Sequence, residues 1–143
     1  MSTGLNVTVR VSHRYTASAE RVFDAWLDPE KLGKWLFATP SGEMVRVEVD
    51  ARVGGQFVVV ERRDGEDVEH IGKYLEIDRP RRLVFSFSVP KFSPEETIVT
   101  IDIVRMGTGC ELTLTHENVL PDYASRTQAG WTGILAGLSA ALA

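Results

Sequence analysis

The stretch Ala17–Leu36, ASAERVFDAWLDPEKLGKWL, reads as two short helices in succession, and the elements on either side of it complete the fold. Ser18 is placed as an N-cap, with Glu20 in the first turn, where the helix dipole favours an acid. Val22, Phe23, Trp26 and Leu27 then form an apolar stripe. Asp28-Pro29-Glu30 repeats the start signal, cap then proline then acid, so a second short helix is predicted to carry Leu32, Trp35 and Leu36.

Upstream, Val7, Val9, Val11, His13 and Tyr15 alternate with Thr8, Arg10, Ser12 and Arg14, the period-2 pattern of a half-buried strand. Downstream, Pro40-Ser41-Gly42 breaks the chain and six strand-like runs follow: Met44–Asp50, Gly55–Arg63, Val68–Asp78, Leu83–Val89, Thr97–Arg105 and Glu111–Glu117. Their separators are Gly54-Gly55, Asp64-Gly65, Arg79-Pro80-Arg81, a loop with Pro90 and Pro94, and Gly107-Thr108-Gly109. Connections this short predict an antiparallel meander rather than parallel βαβ units. Pro121-Asp122 opens a last helix, in which Trp131, Ile134, Leu135, Leu138 and Leu142 recur at spacings of three and four. Gly130, Gly133 and Gly137 each cost roughly 1 kcal/mol against alanine there. Close approach of the helix to a curved sheet is the expected reason.

The 143 residues suit one domain spanning 1–143. Hydrophobic content of 43%, charged content of 25% and a net charge of −4 are ordinary for a globular chain and argue against nucleic acid or an anionic membrane as partner. The start, MSTGLNVTVRVSH, has no signal-peptide core, and no run approaches the roughly 20 apolar residues of a membrane span. A lone cysteine, Cys110, agrees with a reducing compartment, so a cytoplasmic location is expected.

The segments Ala17–Leu36, Val53–Phe57, Gly72–Phe87 and Leu112–Glu117, together with the terminal helix around Trp131, resemble the family named for activator of Hsp90 ATPase homologue 1. That family lies within the START-like, Bet v 1-like superfamily, also called SRPBCC. The resemblance implies an α+β helix-grip fold, a curved seven-stranded antiparallel sheet around a long C-terminal helix, with two short helices after the first strand. It also implies an apolar cavity between sheet and helix, used across the superfamily for hydrophobic small molecules.

Alternation turns Leu83, Phe85 and Phe87 toward the helix and leaves Val84, Ser86 and Ser88 as outer surface. His70, Gly72 and Tyr74 are placed inward, because a glycine on the concave side lets a sheet bend. Leu112, Leu114 and His116 share a face. The candidate ligand-binding residues are therefore Trp35, Phe57, His70, Tyr74, Phe85, Phe87, His116 and Trp131. For the aromatics the competing reading is plain core packing, and for the two histidines it is a hydrogen bond to a neighbour. No metal-ligand spacing, nucleophile elbow or phosphate cradle is present, so no metal and no cofactor are expected. Cys110 reads as a small strand residue, and Glu61–Glu69, ERRDGEDVE, as a solvated hairpin tip.

A module binding a small hydrophobic or amphipathic molecule is the leading expectation. The alternatives are a polyketide cyclase- or hydratase-like enzyme using His70 or His116, and a co-chaperone-like module, for which only the family's name speaks; an Hsp90-type chaperone is not the expected partner. An unpaired sheet edge leaves a homodimer open.

Overall fold

The computed structural model describes residues 6–36, 42–90 and 96–142. The expected breaks at Pro40-Ser41 and Pro94 fall outside them. Strand β1 (Val7–Tyr15) leads into helices α1 (Ala19–Ala25) and α2 (Pro29–Trp35). Six strands follow: β2 (Glu43–Val49), β3 (Gln56–Arg63), β4 (Glu66–Asp78), β5 (Arg82–Phe87), β6 (Thr97–Met106) and β7 (Gly109–Val119). A 3-10 turn at Pro121–Tyr123 then opens α3 (Ala124–Leu142). The strands form one antiparallel sheet in the order β1-β7-β6-β5-β4-β3-β2, which with the terminal helix is the helix-grip arrangement.

The helix starts form as their sequences dictate. Ser18 Oγ accepts from the Arg21 amide at 3.2 Å, and Asp28 Oδ1 accepts from the Glu30 amide at 3.0 Å. Each side-chain oxygen satisfies a first-turn N–H that has no partner within its helix, worth about 1 kcal/mol. Both helices bury their apolar stripes, and α3 buries Trp131, Leu135 and Leu138. The Tyr15 hydroxyl donates to the Leu135 carbonyl at 2.8 Å, tying the end of β1 to the middle of α3.

The sheet bends where β4 passes β5. A methyl group added at Gly72 would lie 1.9 Å from the Ser86 carbonyl oxygen and 2.4 Å from the Phe57 ring, so only glycine fits. The Lys73 amide there bonds the Ser86 hydroxyl at 3.0 Å in place of a ladder carbonyl. Ser86, expected on the outer surface, is consequently buried. His70 and Tyr74 are buried on the concave side, as their placement with Gly72 requires.

Two other expectations are corrected. Methyl groups at Gly130, Gly133 and Gly137 would meet nothing within 4 Å, so close packing of α3 does not explain these glycines. The β3–β4 hairpin turns through Asp64 and Gly65, both at positive φ, as a two-residue turn of this twist demands. Glu61, read as part of its solvated tip, is only 1% exposed, and its carboxylate pairs with Arg63.

Candidate functional site

Aromatic residues on the concave face fall into two groups, which meet where the Trp26 and Trp131 rings lie 6.4 Å apart. Beside α1 and α2, Trp26 meets Trp35 edge-on at 4.7 Å and 83°, while Phe57 meets Phe85 at 5.3 Å and 88° and Tyr74 at 5.6 Å. All five are at most 3% exposed. Under the first half of α3, the second group is Phe87 surrounded by His70, His116 and Trp131. Phe87 stacks on His70 at 6.2 Å and 15° and presents an edge-on contact to His116 at 5.7 Å and to Trp131 at 6.1 Å.

A cavity of about 460 Å³ opens against this second group, between the sheet and α3. Of the eight residues predicted from the sequence, His70, Phe87, His116 and Trp131 line it. Trp35, Phe57, Tyr74 and Phe85 do not; they belong to the packed core. Thr97, Tyr123, Arg126 and Ile134 also line the cavity, and sequence reading did not single them out as site residues. Thr127, Gly130, Trp131 and Ile134 share one face of α3 at helical spacing, so extending the stripe one turn back from Trp131 would have reached the cavity rim.

The hydrogen bonds fix the state of His116. The Trp131 indole, which can only donate, points its Nε1–H at His116 Nδ1 at 3.0 Å, so Nδ1 carries no proton. The Thr97 hydroxyl donates to the Phe87 carbonyl at 2.8 Å, and His116 Nε2 lies 2.7 Å from the same hydroxyl oxygen. Nε2–H therefore donates to Thr97. Burial pulls the His116 pKa down to about 4, since a charged imidazolium here would lose its hydration. Protonation at Nδ1 would also set two N–H groups against each other. His116 is thus a neutral strut joining β6, β7 and α3, and it orients Trp131.

His70 is held from another direction. Its Nδ1 lies 3.1 Å from the Val59 carbonyl, which can only accept, so the ring carries its proton on Nδ1. Burial brings its pKa to about 4; the Val59 bond opposes that and the Arg63 charge reinforces it. At neutral pH the cavity wall therefore holds two uncharged histidines. Cys110 is remote from it, its thiol directed at the Ala17 carbonyl. Among the described residues, no three His, Cys, Asp or Glu side chains converge as a metal site.

The family model for activator of Hsp90 ATPase homolog 1-like protein matches residues 16–143. The chain belongs to that family. A protein of this activator-homolog family from Aeromonas hydrophila has the same fold at 21% identity, with a TM-score of 0.83 over 95% of this chain and 92% of that one. A Chromobacterium violaceum crystal structure is similar at 28% identity and a TM-score of 0.86, covering 94% of this chain and 96% of that one. A Rhizobium loti protein matches at 25% identity and a TM-score of 0.79, covering 96% and 97%. No curated protein is similar to the chain. The activator-homolog fold commonly binds hydrophobic ligands, and no described helix is long and apolar enough to cross a membrane.

Proposed function

We propose that the protein binds a small hydrophobic or amphipathic molecule in the cavity between the sheet and α3. The observation that carries this reading is the 460 Å³ space walled by Phe87, Trp131 and two histidines whose burial keeps them neutral. A volume of this size suits a drug-sized molecule, and a mostly apolar wall with a few oriented polar groups is the usual composition of such sites. Ring faces and edges contact the apolar body of the ligand, while Thr97 and His70 supply polar contacts. A cyclase- or hydratase-like role is less well supported. His116 has both nitrogens committed and could transfer a proton only by releasing Trp131 or Thr97.

Gly130 provides the test, because it lies on the cavity rim and a Cβ there meets no neighbour within 4 Å. In Gly130→Leu the helix keeps its packing and the added side chain reaches into the cavity. Fluorescence titration with the neutral probe phenylnaphthylamine should saturate at one site in the wild type and fail in the folded variant. Equal binding in both would overturn the assignment of this cavity. Native mass spectrometry of gently purified protein then identifies any molecule retained from the cell.

A further inference from the structure

We propose that the ligand is an amphipathic anion, with its apolar body against Phe87, Trp131 and Ile134 and its anionic head group received by Arg63 and Arg126. The inference rests on the cavity being a ligand site and names the chemical class that this site selects. The chain as a whole is acidic, with 20 Asp and Glu against 16 Lys and Arg. The described cavity wall inverts that balance, holding Arg63 and Arg126 and no aspartate or glutamate. Its two histidines add no charge at neutral pH, and the Glu61 carboxylate behind the wall balances Arg63, so among the described residues Arg126 contributes the uncompensated positive charge.

The two arginines are presented differently. Arg63, at the end of β3 and about a third exposed, is held by the buried carboxylate of Glu61, which acts as a positioning residue. Arg126, on the first turn of α3, has no carboxylate partner among the described residues, and its guanidinium lies 5.9 Å over the Tyr123 ring. A carboxylate, sulfonate or phosphate-type head group matches the planar fork of a guanidinium, and such charge-assisted bonds strengthen beside an apolar wall. A neutral hydrocarbon would gain only the apolar contacts.

The test uses a matched pair of probes, anilinonaphthalenesulfonate and phenylnaphthylamine, which differ by the sulfonate alone. The wild type should bind the anion about tenfold more tightly, with the preference shrinking as salt is raised. Arg126→Gln, at an exposed position with no ion pair among the described residues, should reduce that preference about threefold to tenfold, weakening the sulfonate probe far more than the neutral one. Removing Arg63 alone would also break its pair with the buried Glu61 carboxylate and lower stability, so it is tested as the double variant Glu61→Gln with Arg63→Gln. Equal affinity for both probes, each blocked by Gly130→Leu, would overturn the anion assignment and leave the cavity reading standing. A preference that survives in both arginine variants would overturn the role of these residues. Binding of neither probe, or binding that Gly130→Leu does not touch, would overturn the cavity reading and this inference with it.

Discussion

Trp35 and Trp131 are buried to the same degree, at 3% and 4% exposure, yet they sit in regions built for different ends. Around Trp35 the rings interlock, and the Trp26 and Trp35 indole N–H groups have no hydrogen-bond partner among the described residues. Around Trp131 the indole is satisfied by His116, His116 by Thr97, and Thr97 by the Phe87 carbonyl. That chain of bonds spans β5, β6, β7 and α3 and props the helix over the cavity. Close packing makes a core, and a satisfied polar network beside a gap makes a site. Aromatic content alone separates neither.

The largest effect that would break this contrast is truncation in the packed region. Trp35→Ala should lower unfolding free energy by about 3–5 kcal/mol, whereas Phe87→Ala, on a wall that borders the cavity, should lose less. Equal losses in urea titrations would mean that the two regions are packed alike.

Acid should sharpen the contrast next. His70 and His116 have pKa values near 4 in the folded protein and about 6.5 when unfolded. Between those values the unfolded chain binds more protons, so their contribution is present above pH 6.5 and is lost as pH falls through 4. Each should cost about 3 kcal/mol by pH 4. His116→Gln should flatten the profile between pH 6.5 and 4; a profile as steep as the wild type's would contradict the neutral strut.

At constant pH, His116→Ala strands the buried Trp131 N–H and should cost about 1–3 kcal/mol beyond the lost packing. A smaller loss in Trp131→Phe combined with His116→Ala than the two single variants sum to would measure the coupling directly. The smallest effect has the opposite sign. Gly133→Ala should raise stability by about 1 kcal/mol without altering probe binding, because its new methyl group meets nothing. Destabilisation would show that α3 approaches the sheet more closely than it does here.

The order of elements was legible because its signals are local. Caps at Ser18 and Asp28, alternation in β1 and β7, and glycine turns each act within a few residues. Glu61, Ser86 and the α3 glycines were misread because burial depends on what crosses from another strand. A carboxylate looks solvated until Arg63 turns back onto it, and Ser86 looks external until Lys73 loses its ladder partner to the bend at Gly72. At the site, Gly72 placed His70 on the concave face and alternation placed His116 there, but sequence cannot say which inward aromatics face a neighbour and which line a cavity. Thr97 and Arg126 carry no local signal, since their meaning arises only when β6 and α3 meet.

Trp26, Trp35 and Trp131 give three indole N–H signals in a nitrogen-15 correlation spectrum, one from the cavity wall and two from the core. Titrating phenylnaphthylamine into labelled protein should shift the Trp131 signal most, move Trp26 less through its ring contact with Trp131, and leave Trp35 in place. Movement of the Trp26 and Trp35 signals with Trp131 unmoved would put the ligand in the other aromatic region and contradict the site described.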